Sequence, residues 1–267
     1  MRKGEMMTYK KGFLIFFFCF CLQPTCSGES WAQEQLTIAV AANFAPAMEM
    51  ISKDFTRSTD IPVQVSVSSS GRLYTQIRNG APFDLFFSAD SNRPELLFQE
   101  GRCEQPIVYV YGTVVLWSRN ASLCSKSGNW RNLVKGSGLN KIGLANPELA
   151  PYGAVARAAL AGEKLWDTVQ NRLVFGTNVA QAFQYAAIGA TTVSFIALSL
   201  VHTPTGEKGC FLPVPEAEQV AQSACLVHDS KNREAAEKFL TFMSTEETKT
   251  VLQHYGYTSE PASLYPE

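Results

Sequence analysis

The chain has 267 residues and contains no basic block, no internal repeat and no low-complexity tract. Charged residues make up only 18% and the formal net charge is −1, so the electrostatic footprint of a nucleic-acid binder is missing. Histidine is scarce: His202, His228 and His254 are the three in the chain, which leaves few general bases for nucleophilic catalysis. The seven cysteines form no C-x-x-C element, so the spacing of a structural zinc site is absent. Long apolar runs are lacking too. The stretch "GFLIFFFCFCL", Gly12 to Leu22, falls well short of the ~20 residues that span a bilayer.

That apolar run follows Lys3, Lys10 and Lys11 and precedes Ser30-Trp31-Ala32, with small residues at −3 and −1. A basic start, a short apolar core and such a site describe a secretory signal peptide over residues 1–32, with Gln33 as the mature start and the periplasm as the destination. "QPTC" before Ser27 lacks the small and aliphatic residues of a lipobox, so Cys26 is not read as a lipid anchor. Cleavage removes four basic and two acidic residues, which takes the net charge from −1 to −3. Bulk charge then does not draw an anion in. Cys103, Cys124, Cys210 and Cys225 remain, an even number in an oxidising compartment, so one or two disulfides are expected with the pairing left open.

The mature chain alternates short apolar strands with amphipathic helices. "LTIAVAA" leads into a helix from Ala45 to Phe55; "VQVSV" leads into "RLYTQIRNG", and "DLFFSA" into a short helix from Pro94. "IVYVYGTVVLWS", Ile107 to Ser118, is unusually long and β-rich, long enough to leave one lobe and enter another. A second series follows: "KIGLA", a helix from about Gly153, "RLVFG", a helix through Val179, Ala182, Phe183 and Ala186, and "TVSFIAL". "SACLV", Ser223 to Val227, is strand-like, and the end is helical with a break near Ser244. This pattern predicts an α/β architecture of two lobes with mostly parallel sheets flanked by helices and a hinge between them. The expected division is 33–112 for the first lobe, 113–222 for the second, and 223–267 for a return to the first.

Four strand-to-helix junctions stand out. At the first, Ser68-Ser69-Ser70-Gly71 reads as a capped turn, as a nucleophile, or as an anion cradle. It is not G-x-S-x-G, which weakens the nucleophile reading. A helix N-terminus offers free N–H groups and roughly half a positive charge, and hydroxyls add donors without charge. Ala42-Asn43, Pro151-Tyr152-Gly153 and Asn178-Val179 repeat the arrangement, and none of the four helix starts carries a carboxylate. Together they could converge on a small tetrahedral oxyanion between the lobes. Arg72 offers a counter-charge, although the second helical position usually faces solvent. Asp84 and Asp90 read as caps or surface groups, and Trp117, Phe183 and Phe195 as core.

"LTIAVAANFAPAMEMISKDF", "SSSGRLYTQIRNGAPFDLFFSAD" and "IGLANPELAPYGAVARAAL" resemble the periplasmic molybdate-binding proteins of molybdate ABC transporters, from about Leu36 to Gly256. The resemblance implies the two-lobed periplasmic binding protein fold, type II-like, and an oxyanion held by neutral donors. Carried over, it places Asn43 with the amide of Ala42 or Asn43, the Ser70 hydroxyl, and the backbone of Tyr152 and Val179 on the ligand. Ser69, Gly71, Arg72 and Asn178 are neighbours of lesser claim. Some members use a tyrosine from the strand matching "SFIALS", where this chain has Ala197; the phenol of Tyr152 is the candidate replacement.

The expected function is capture of molybdate, and of tungstate, for delivery to an inner-membrane ABC permease and its ATPase. The protein is expected to be a monomer, without enzymatic activity, cofactor or resident metal. Molybdate, tungstate and sulfate are fully deprotonated dianions near neutral pH and need donors alone, whereas phosphate keeps a proton and calls for an acceptor. The alternatives are a sulfate or thiosulfate binder, a sensory ligand module, and, from another class, an exported serine hydrolase using Ser70.

Overall fold

The computed structural model describes Met1 and residues 35–136 and 138–261. The expected signal peptide, its cleavage site and the last residues of the tail lie outside the described residues, Met1 apart. No helix among the described residues is long and apolar enough to cross a membrane.

Two five-stranded mixed sheets organise the chain. The strands are β1 (Leu36–Ala41), β2 (Val63–Ser68), β3 (Leu85–Phe87), β4 (Ile107–Gly112) and β5 (Val114–Ser118), then β6 (Ile142–Ala145), β7 (Leu173–Gly176), β8 (Val193–Ala197), β9 (Cys210–Pro213) and β10 (Val220–Leu226). The first sheet has the order β2-β1-β3-β10-β4 and the second β7-β6-β8-β5-β9. In each, the strands expected from βα alternation run parallel, β2-β1-β3 and β7-β6-β8. The crossing strands β10 and β5 run antiparallel to their neighbours.

The helices are α1 (Ala45–Thr59), α2 (Ser70–Arg78), α3 (Asn92–Gln99), α4 (Ala121–Ser127), α5 (Trp130–Lys135) and α6 (Pro151–Gly162), then α7 (Trp166–Val169), α8 (Val179–Ala187), α9 (Leu198–Val201), α10 (Arg233–Phe242) and α11 (Glu246–His254). α4, α5, α7 and strand β9 are not evident in the sequence pattern, because they are short and carry little periodicity. α10 and α11 are separated at Ser244–Thr245, where Thr245 caps the second helix by accepting from the Thr248 N–H.

Alternation along β1 explains the two sides of the first lobe. Leu36, Ile38 and Val40 enter one core with Phe44, Phe55, Phe87 and Phe239, under α1, α10 and α11. Ala39 faces the other way and packs with Leu73, Ile77, Phe86 and Leu97, under α2 and α3. The second lobe has its own core, in which Trp117, Phe183 and Phe195 are buried as expected. Trp117 also donates its indole N–H to the Gly206 carbonyl at 2.9 Å.

The chain crosses from the first sheet to the second at Thr113, inside the long run 107–118, and returns with β10. That return strand starts at Val220, three residues ahead of the predicted start at Ser223, so Gln222 belongs to the first sheet. The pairing of β10 with β4 shifts register between Gln222 and Ser223, a β-bulge. Of the four remaining cysteines, Cys124 and Cys210 form a disulfide between α4 and β9. Cys103 and Cys225 are buried thiols, and the hydrogen bond between them, with burial, pushes the Cys225 thiol far up.

Candidate functional site

The carboxyl ends of β1, β2, β6 and β7 each lead into a helix, α1, α2, α6 and α8. In α/β sheets this end is where ligands bind, because first-turn N–H groups point outward there with no intrahelical partner. The four junctions meet at one small cavity of about 10 Å³. The first lobe lines it with Ala42, Asn43, Ser69, Ser70 and Ala89, and the second with Ala150, Pro151, Tyr152, Asn178 and Val179. A cavity of that volume has room for about one water-sized group and excludes sugars and peptides. A larger hollow of about 900 Å³ lies outside, along α1 and the edge strand β2, and gathers none of these groups.

Hydrogen bonding within the protein separates donors that are available from those already engaged. Ala42 donates its N–H to the Ser68 carbonyl at 3.0 Å as an extension of the β1–β2 ladder, so that amide is already engaged. Among the described residues, the N–H groups of Asn43, Ser70, Tyr152 and Val179 have no acceptor. Gly71 is not among them: its N–H donates across the cleft to the Leu149 carbonyl at 3.0 Å. Ser69 is the cap of α2, its hydroxyl accepting from Arg72 N–H at 3.4 Å, and Asn178 caps α8 by accepting from Gln181 N–H at 2.9 Å. Arg72 is exposed and outside the lining.

The Ser70 hydroxyl is buried and accepts the Ala89 N–H at 2.9 Å. One lone pair is thereby occupied, and its proton has no acceptor within the protein. It is oriented as a donor. No histidine lines the cavity: His228 bonds the Gly101 carbonyl, and His202 lies beside His254 with their rings tilted and 6.3 Å apart. Ser70 therefore has no histidine beside it in the cavity to act as a base.

A family model for bacterial extracellular solute-binding proteins matches residues 36–258. The chain belongs to this family. The molybdate-binding protein ModA of Rhodobacter capsulatus is 33% identical over 239 residues, covering 89% of this chain and 91% of that protein. ModA of Azotobacter vinelandii is 34% identical over 228 residues, 84% and 89% of the two chains. The solved periplasmic molybdate-binding protein of Azotobacter vinelandii superposes with a TM-score of 0.78 at 30% identity, covering 87% of this chain and all of that one. The fold is thus the two-lobed α/β fold of periplasmic binding proteins.

In this solute-binding protein the lobes are closed on one another. Besides the Gly71–Leu149 bond, Arg93 of α3 reaches the Glu148 carbonyl at 3.0 Å and pairs with Asp90, so the seam carries a neutral ion pair. Ser199 of α9 donates to the Asn43 carbonyl at 2.8 Å. No ionisable acid or base except Tyr152 lines the cavity. Burial holds the Tyr152 phenol far above its ordinary value, assisted by the neighbouring Tyr257, so it stays a neutral donor.

The Asn43 side-chain amide nitrogen is engaged within the protein. Its Nδ2 donates to Gln222 Oε1 at 2.7 Å and to the Tyr257 hydroxyl at 3.1 Å, and its buried Oδ1 has no partner. Its backbone N–H is left unpaired, while its side-chain amide nitrogen bonds Gln222 and Tyr257. Gln222, Tyr257, Ser199 and Gly112 are the residues that sequence reasoning missed. A glutamine inside the apolar strand "VAQSACL" and a glycine inside "IVYVYG" were the available signals.

Proposed function

We propose that this protein is an exported, non-enzymatic binding component that captures molybdate, and tungstate with it, between its lobes and delivers it to an ABC permease and its ATPase. One observation carries the reading: the cavity gathers unpaired donors from four strand-to-helix junctions and contains no carboxylate. The donors are the N–H groups of Asn43, Ser70, Tyr152 and Val179 with the hydroxyls of Ser70 and Tyr152. The relatives from Rhodobacter capsulatus and Azotobacter vinelandii are molybdate-binding proteins, which agrees with this ligand class.

The chemistry suits a fully deprotonated tetrahedral dianion. Each hydrogen bond to a charged acceptor contributes about 1.5–3 kcal/mol, so several fixed donors in a dry site replace hydration without a salt bridge. The N-termini of α2, α6 and α8 each add roughly half a positive charge. The Tyr152 hydroxyl supplies the donor that Ala197 cannot.

Calorimetric titration of the purified protein with molybdate, tungstate, sulfate and phosphate tests the reading. Tight binding of the first two with weak sulfate and no phosphate binding is expected. Sulfate binding as tight as molybdate would move the assignment to the sulfate class, and phosphate binding would contradict the donor-only site.

A further inference from the structure

Resting on the oxyanion-binding reading, we propose that Gln222 is a positioning residue that sets the polarity of the site, making the Tyr152 hydroxyl a donor to the ligand.

The direction of the hydrogen-bond chain starts from an atom that can only accept. Tyr257 has one hydroxyl hydrogen, and it goes to the Asn43 backbone carbonyl at 2.9 Å. The Tyr257 oxygen must then accept, and the Asn43 side-chain atom 3.1 Å away is the amide nitrogen. The other Nδ2 hydrogen meets Gln222 at 2.7 Å, which makes that atom Oε1. Tyr109 has both Gln222 Oε1 at 3.3 Å and the Ser88 carbonyl at 3.4 Å within reach of its single hydroxyl hydrogen. With its oxygen turned to the first lobe, Gln222 presents Nε2 to the second, and it donates to the Tyr152 hydroxyl at 3.2 Å. The Tyr152 oxygen is occupied as an acceptor and its own hydrogen has no acceptor in the protein.

Reversal of that chain would reverse the site. A Gln222 that accepted from Tyr152 would leave the tyrosine facing the cavity with a lone pair, which repels an oxyanion. The assigned polarity places both Nδ2 hydrogens on Gln222 and Tyr257 and leaves Asn43 Oδ1 buried without a partner. Gln222 is fully buried and sits at the β10 bulge, within the strand that returns from the second lobe. It touches first-lobe Asn43 and second-lobe Tyr152 together, so its contact with Tyr152 depends on closure.

A double-mutant cycle for molybdate binding, with Gln222→Leu, Tyr152→Phe and both, tests the proposal. Each single substitution is expected to weaken binding by ~10-fold or more, one good hydrogen bond to a charged acceptor. The double variant is expected to bind within about 2-fold of Tyr152→Phe alone, because Gln222 acts through the hydroxyl. Losses that multiply, or a silent Gln222→Leu, would overturn it. Should Gln222→Leu fail to fold, proton NMR of the unaltered protein with molybdate decides. A cross-peak between the Tyr152 hydroxyl hydrogen and the Gln222 side-chain amide hydrogens supports the assigned polarity, and a cross-peak from those amide hydrogens to Asn43 instead overturns it. Failure of the unaltered protein to bind any of the four oxyanions would refute the function itself, a different result from a multiplicative cycle.

Discussion

Gly112 and Tyr152 occupy adjoining space that a single methyl group would close. A Cβ at position 112 would lie 2.0 Å from the Tyr152 hydroxyl and 2.6 Å from Gln222 Nε2. Gly112 is the last residue of β4, at the crossing into the second lobe, and its missing side chain lets the tyrosine come down onto the first sheet. Gly112→Ala should therefore weaken molybdate binding by ~10-fold or more, since overpacking of this kind costs about 1–3 kcal/mol. Calorimetry reads the affinity. A crystal structure of the variant should show the Tyr152 hydroxyl displaced or the lobes held apart.

Ser70→Ala removes a hydroxyl whose proton is free and whose lone pair holds Ala89. The expected loss in molybdate affinity is ~10- to 100-fold, one hydrogen bond to a charged acceptor. Thermal stability should fall by only about 1 kcal/mol, from the stranded Ala89 N–H. Ser69→Ala should behave differently, lowering helix stability by about 1 kcal/mol as a lost cap does, with a smaller effect on binding.

The pH response follows from the buried phenols. Tyr109, Tyr152 and Tyr257 are all raised above the ordinary value of 10.0, in each case chiefly by burial. Their neutral forms are the ones the fold holds, so this contribution to stability is fully present below the unfolded value and is lost as pH rises through the folded one. Molybdate affinity should be flat from about pH 6 to 9 and fall only in strong alkali, since no other ionisable group lines the cavity. A midpoint near the histidine range in the binding curve would contradict this.

The Cys124–Cys210 disulfide closes a separation of 86 residues within the second lobe, far from the cavity residues in sequence. Replacing both with serine should cost about 2–5 kcal/mol of stability and lower the melting temperature by ~5–15 °C. Molybdate affinity should stay within about 2-fold. Differential scanning calorimetry and titration of the same samples check both statements.

How far the sequence carries can be judged residue by residue. The four helix starts were legible because caps, prolines and apolar periodicity are local signals, and Ser70, Tyr152 and Val179 lie where those signals point. The engagement of individual donors was not legible. Ala42 gives its N–H to a neighbouring strand and Gly71 gives its own to Leu149, facts of register and closure that no local pattern encodes. Gln222 bonds Asn43 across a separation of 179 residues, and Tyr257 does so across 214. Such contacts arise from the return of the chain to its first lobe. The cysteine pairing was open for the same reason, since three connectivities fit four cysteines equally well.

The central claim is that the cavity offers donors only. Molybdate titration by calorimetry at one pH, in buffers of different ionisation enthalpy, counts the protons exchanged on binding. A donor-only site that takes a fully deprotonated dianion between neutral groups should exchange none, with the same observed enthalpy in every buffer. Uptake or release of a proton, or measurable binding of hydrogen phosphate, would show an acceptor in the site and contradict the account.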